Sequence, residues 1–175
     1  AYIKGNRGKE LDAFADGPFN CLIDYREPTL EDMDEFQRRG IKVIFPLEEL
    51  YAGRWFVKVL KLKNLEEEEA YVTKRVNAFK NHPALLAWYL NDEIDKSRID
   101  ELRRRQKLLE RLDDQHPTWT VLYQVESIPA YFGSYDIIGS DPYPIGHGNR
   151  TELDMASDWT RLTRAGSYGI RPVWQ

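Results

Sequence analysis

A single cysteine, Cys21, stands in 175 residues, so no intrachain disulfide can hold this chain together. It lies inside the apolar run "FNCLIDY" and is expected to be an inert core thiol rather than a nucleophile. No apolar stretch approaches the ~20 residues that a membrane-spanning helix needs. The opening "AYIKGNRGKELDAF" has no signal-peptide core. Net charge is -4, which gives no basic field for nucleic acid. Arg103, Arg104 and Arg105 do cluster, but acids flank them on a helical pattern, and they read as a solvated helix face. No glycine-rich phosphate loop follows a strand: "GNRGKE" precedes the first apolar run. No Gly-x-Ser-x-Gly elbow and no His, Cys and carboxylate cluster at metal-ligand spacing occurs. No cofactor or metal is implied.

What remains is a chain 42% hydrophobic and 13% aromatic, enough to bury the core of one globular domain. Short apolar runs alternate with amphipathic segments. The runs are 19–25, 41–47, 85–90, 118–124, 135–143 and "IRPVWQ" at 170–175. Between the first two lies "PTLEDMDEFQRRG". There Thr29 and Asp32 have capping-box spacing, Leu30, Met33 and Phe36 repeat at helical period, and Gly40 supplies a stop. After an aromatic and basic loop at 51–63, Asn64 precedes "LEEEEAYVTKRVNAFKNHP", whose glutamates oppose the helix dipole and whose Pro83 marks the end. A third helix, about 98–113, turns Ile99, Leu102, Leu109 and Leu112 to one side; a fourth, about 151–165, is expected to bury Leu153, Trp159 and Leu162.

The runs are continuous rather than alternating, as in strands covered on both faces by helices. Strand-helix repetition gives an α/β fold with a parallel sheet. Polar or aromatic residues close nearly every run: Asp24-Tyr25, Glu48-Glu49, Asp92-Glu93, Tyr123-Gln124, Asp141 and Trp174-Gln175. Chemistry gathered at strand C-termini suits a barrel more than an open nucleotide-binding sheet.

The stretch "HPALLAWYLNDE" carries a resemblance. It is similar to the strand-4 motif of the (β/α)8 retaining glycoside hydrolases, the clan that includes β-galactosidases, β-glucuronidases, cellulases and mannanases. His82, Pro83, Trp88 and Glu93 fall on that pattern without a gap. The resemblance implies an α/β (β/α)8 TIM barrel, incomplete here and covering about strands 2 to 7, with residues 1–175 as one partial barrel domain. It puts the general acid/base on Glu93. Asp92 stands where the clan has an Asn that binds the sugar 2-hydroxyl; Asp can accept such a bond but not donate one. A second register pairs Asn91 with Asp92 but breaks the spacing from His82-Pro83.

"DIIGSDPYPI" looks like strand 6 of the clan and "GIRPVW" like the entry to its strand 7. The clan's nucleophile follows that proline by about five residues, so the resemblance expects it beyond Gln175 and reads this chain as an internal segment. Asp24, Asp92, Tyr123, Asp141, Tyr143 and Trp174 are the expected substrate contacts, with carbohydrate as the partner and a secreted or periplasmic setting favoured. Trp88 is a further aromatic that could stack on a sugar, and His147 in "IGHGN" could reach the site. The bland alternatives are that Asp92, Glu93 and Asp95 merely cap a helix, that "DPYP" only fixes a turn, and that the aromatics are core. The functional alternative to a retaining glycosidase on a β-linked glycan is a sugar-binding barrel that has lost a catalytic carboxylate.

Overall fold

The computed structural model describes residues 8–48, 50–51, 62–145 and 153–174. Glu49, most of the aromatic and basic loop (52–61), the loop with His147 and the terminal Gln175 lie outside the described residues. In order, the elements are α1 (Lys9–Ala15), β1 (Cys21–Ile23), α2 (Leu30–Arg38), β2 (Lys42–Pro46), α3 (Leu65–Phe79), β3 (Leu85–Asp92), α4 (Ile99–Leu112), β4 (Thr118–Leu122), α5 (Ile128–Tyr131), β5 (Ile137–Ser140) and α6 (Met155–Gly166). The five strands form one sheet in the order β1-β2-β3-β4-β5, with parallel pairing between β1 and β2, β2 and β3, and β4 and β5. Among the described residues, no helix is long and apolar enough to cross a membrane.

This corrects the expected barrel. The class is α/β and the sheet is parallel, but a (β/α)8 TIM barrel is not what forms: among the described residues five strands are present, not six. The sixth run makes one bridge, Ile138 to Val173, held by Ile138 N–H donating to Pro172 O at 3.1 Å and Trp174 N–H to Ile138 O at 3.0 Å. Pro172 has no N–H of its own to extend the ladder.

The chain divides into two compact units. The first comprises Ala1–Tyr89 and Leu108–Pro117. Its helix α2 begins as the sequence predicts: Asp32 N–H donates to Thr29 Oγ1 at 3.2 Å and Thr29 N–H to the Asp32 carboxylate at 2.8 Å. Asn64 Oδ1 caps α3 by accepting from Glu67 N–H at 2.9 Å. α3 ends at Phe79 with Lys80 as its C-cap, before Pro83 is reached. The core is aromatic: Phe45 packs 4.6 Å from Phe79 and 5.4 Å from Trp88, with the Arg75 guanidinium 5.0 Å over Phe79. Full burial of each such ring contributes roughly 1.5–3 kcal/mol. Trp88 is no sugar platform. It is fully buried, and its indole N–H donates to Asp113 Oδ2 at 2.8 Å. Asp113 also accepts from Gln115 N–H at 3.0 Å and meets His116 Nδ1 at 2.9 Å. His82, just past α3, has Nδ1 accepting from Ala84 N–H at 3.1 Å.

The second unit comprises Leu90–Lys107 and Thr118–Gln175. Leu102, Ile128, Tyr131, Tyr135 and Ile138 are buried in it. Thr118 N–H donates to Asp136 Oδ2 and Asp136 N–H to Thr118 Oγ1, both at 3.0 Å, a reciprocal pair that fixes the start of β4 against β5. α6 packs on β5 through the buried Thr163 Oγ1 to Ser140 Oγ bond of 2.9 Å. It approaches α5 so closely that a Cβ on Gly166 would lie 2.9 Å from Ile128. Two expectations fail here. Leu153 is 69% exposed, because α6 begins only at Met155. Arg105 is 2% exposed, not solvated, since it shares the inward side of α4 with Leu102 and Leu109.

Asp113 gives a test of the first unit. Burial alone would raise its carboxyl, but the bonds from Trp88, Gln115 and His116 outweigh burial and hold it below the ordinary carboxylate value. A depressed folded-state value stabilises above the unfolded carboxyl value and ceases to do so as pH falls through the folded one. Asp113→Ala should cost about 2–3 kcal/mol in urea unfolding at neutral pH, because a buried indole N–H loses its acceptor. Asp113→Asn should cost less, and its deficit against the parent should shrink below about pH 4. A deficit that does not change between neutral pH and about pH 3 would show that the carboxylate charge is immaterial.

Candidate active site

Strand alternation decides which side chains can meet. In the second unit, Thr118 of β4 faces Gln106 of α4, and Ser140 of β5 faces α6. Trp119, Val121, Tyr123, Gly139 and Asp141 therefore fall on the face away from those helices. A Cβ built on Gly139 would indeed meet Trp119 Nε1 at 3.1 Å and Val121 Cγ2 at 3.3 Å. On β3, Trp88 turns toward Asp113 beyond α4, so Asn91 belongs to the opposite face.

Glu93 follows β3 directly. Its N–H donates to Val121 O at 2.9 Å, and its φ is +54°, left-handed backbone that non-glycine residues rarely adopt. Its solvent-accessible side chain neighbours the Asp141 carboxyl, and the Tyr143 hydroxyl neighbours Asp141 in turn. Partial desolvation first, then the bond to Asp141, then the negative charges of Asp141 and Asp92 raise the Glu93 carboxyl from 4.5 to about 7. The Asp141 charge, with burial, its hydrogen bond and the charges of Glu93 and Asp92, raises the Tyr143 hydroxyl as well.

Two groups beside this chain lack partners. Among the described residues nothing pairs with either amide atom of Asn91, which is 0% exposed, and no donor reaches the occluded Asp141 Oδ1. In the stretch 82–93 the sequence marks Asn91 only as the partner of Asp92 in the second register. The period-2 pattern of β3 was the signal that could have singled it out.

Of the expected contacts, Asp92, Asp141 and Tyr143 come together with Glu93. Tyr123 directly follows β4 on the same face as Asp141, exposed, its hydroxyl accepting from Gln124 Nε2 at 3.0 Å. Trp174 packs with its ring 6.5 Å from Trp119. Asp24 belongs to the first unit, fully buried and accepting from Arg26 N–H at 3.0 Å. Among the described residues, no group of three or more His, Cys, Asp or Glu could hold a metal ion.

No family model and no curated protein sequence matches the chain. Solved structures do. The chain is similar to a GH2 β-galacturonidase from Eisenbergiella tayi bound to galacturonate, at 15% identity and TM-score 0.69, over 88% of this chain and 28% of that one. It is similar to a β-glucuronidase of an uncultured Clostridium sp., at 20% identity and TM-score 0.62, over 94% of this chain and 30% of that one. A β-D-glucuronidase from Dictyoglomus thermophilum aligns at 17% identity and TM-score 0.65, over 94% and 30%. At these identities the likeness is one of fold, and the chain spans less than a third of the length of these enzymes: it has the fold of one segment of proteins that are β-glycosidases.

Proposed function

We propose that this chain carries the acid/base half of the active site of a retaining glycoside hydrolase acting on a β-linked glycan. The feature that supports it most is a solvent-accessible carboxyl after β3 that partial desolvation first, and then a neighbouring second carboxyl, raise to about 7. A general acid must be protonated at working pH and still able to give its proton up, and a value near 7 meets both needs. In the proposed reaction Glu93 protonates the leaving oxygen, then as carboxylate takes a proton from the water that completes hydrolysis. Asp141 is the positioning residue: it keeps the proton on Glu93 until departure of the leaving group needs it. Asp141 is not the nucleophile in this reading. A retaining pair stands about 5–5.5 Å apart, and carboxyls in hydrogen-bond contact are closer than that. The nucleophile is a separate carboxylate.

The backbone of Glu93 supports the same reading, since strained conformations persist where they place a working side chain. Tests belong in the full-length protein that contains this chain. Glu93→Gln should lower turnover of natural glycans ~10²- to 10⁴-fold while largely sparing the first step with activated aryl glycosides, which need little protonation. Azide should restore the slow second step in Glu93→Ala. Unchanged turnover of natural glycans in Glu93→Gln would leave Glu93 a helix-capping carboxylate, and loss of activity in Asp92→Asn alone would favour the other register.

Asp141→Asn removes both the negative charge and the carboxyl partner that favour protonated Glu93. The alkaline limb of the kcat/KM profile, expected near 7, should then move down toward 4.5. A limb that stays in place removes Asp141 from this role.

Strain gives a stability test. Glycine adopts φ near +54° freely and alanine does not, so Glu93→Gly should be more stable than Glu93→Ala by about 1 kcal/mol. The reverse order in thermal unfolding would mean that the left-handed backbone is not retained.

A further inference from the structure

Two hydrogen bonds pin the main chain on either side of Glu93, whose φ is +54°. On entry, Glu93 N–H donates to Val121 O at 2.9 Å. On exit, the carbonyl of the next residue, Ile94, accepts from the Tyr131 hydroxyl at 2.8 Å. Both partners of the second bond are buried, Tyr131 at 0% exposure and Ile94 at 2%. A buried carbonyl that loses its donor is costly, so the chain after Glu93 is held where it meets Tyr131. Burial first, then Asp95 and Tyr123, push the Tyr131 hydroxyl up to about 12, so it remains a donor at any ordinary pH.

Tyr131 is itself tied down. It ends the single turn α5, and its own carbonyl accepts from Ser134 N–H at 3.0 Å and from Ser134 Oγ at 2.6 Å. Arg103 of α4 donates to Ala130 O at 2.9 Å. α6 closes on the same turn at Gly166, where a Cβ would lie 2.9 Å from Ile128. A buried tyrosine hydroxyl needs some acceptor. This one takes the carbonyl that directly follows the left-handed residue.

We propose that Tyr131 is a positioning residue for the Glu93 carboxyl, acting through the Ile94 peptide to keep Glu93 in its left-handed conformation. The inference rests on the glycosidase reading above and deepens it. Tyr131 touches no substrate in this role. A left-handed non-glycine residue persists only where its surroundings over-determine it. Without the bond to Ile94 O, Glu93 relaxes toward ordinary backbone and its carboxyl swings off the leaving oxygen.

The experiment uses the full-length protein with methyl and para-nitrophenyl β-glycosides of the gluco, galacto, manno and glucurono series, keeping the sugar that turns over best. Tyr131→Phe retains the ring and removes only the hydroxyl. On the methyl glycoside kcat should fall ~10- to 10²-fold, with KM changed less than about twofold, since a small misplacement of a catalytic group carries a loss of that order. The first step with the para-nitrophenyl glycoside should be largely spared, because it needs little protonation. Added to Glu93→Gln, Tyr131→Phe should lower the rate little further, the acid that it positions being already gone. A folded Tyr131→Phe with the parent kcat on the methyl glycoside overturns the inference and leaves the glycosidase reading standing. So does an undiminished loss on top of Glu93→Gln. Should Tyr131→Phe not fold, Ser134→Ala decides, since Ser134 N–H still holds the Tyr131 carbonyl: a smaller loss confined to the methyl glycoside supports the inference, and rates unchanged on both substrates overturn it. No turnover on the whole panel, or an unimpaired Glu93→Gln, overturns the glycosidase reading and this inference with it.

Discussion

A single indole hydrogen bond, Trp88 to Asp113 at 2.8 Å, decides which side of β3 is which. Side chains on a strand alternate, so a one-residue slip would send every one to the opposite face. Trp88 resists that slip twice over: its ring packs against Phe45, and its N–H would be orphaned anywhere but beside Asp113. With Trp88 fixed, Asn91 must take the opposite face and Glu93 must follow at the end. The His82-to-Glu93 spacing that stands out in the sequence thus has a mechanical meaning. Its middle member is the anchor that sets the phase of its last.

Beyond that anchor the site is organised by electrostatics. Carboxyls brought together without a nearby cation keep a proton between them, because two bare charges at hydrogen-bond distance repel strongly. Partial desolvation and the neighbouring Asp141 and Asp92 favour the protonated form of Glu93, and the Asp141 charge raises the hydroxyl of the exposed Tyr143. Backbone strain at Glu93 and a buried amide at Asn91 that meets no partner among the described residues both work against folding. Costs of this kind gathered at one strand end are the physical mark of a place shaped for something other than stability.

The sequence revealed what short-range rules govern. Thr29 and Asp32 form their capping box, Asn64 caps α3, and Gly40 takes the left-handed backbone at φ +70° that ends α2. Each depends on neighbours within a few positions. It was less informative wherever distant segments decide. Arg105 looked like its solvated neighbours, and only the packing of α4 shows it turned inward. Leu153 looked apolar enough to be buried, but α6 starts after it. The run at 170–175 has strand composition yet makes only one bridge, so the expected barrel gave way to a five-stranded sheet. Glu93 and Asp141 are both legible in the sequence as strand-end carboxylates, but no spacing shows that they lie together, since they follow separate strands. The resemblance on 82–93 supplied an expectation for Glu93; the fold supplied its surroundings.

The lone cysteine has a practical consequence. Cys21 sits on β1, at one end of the strand order, part-buried, with burial pushing its thiol above the ordinary value. Thiolate is therefore scarce at neutral pH and alkylation in the native state is slow. Modification must largely await transient opening of that strand. No second thiol occurs within these 175 residues, so alkylation within them reports on one strand, β1.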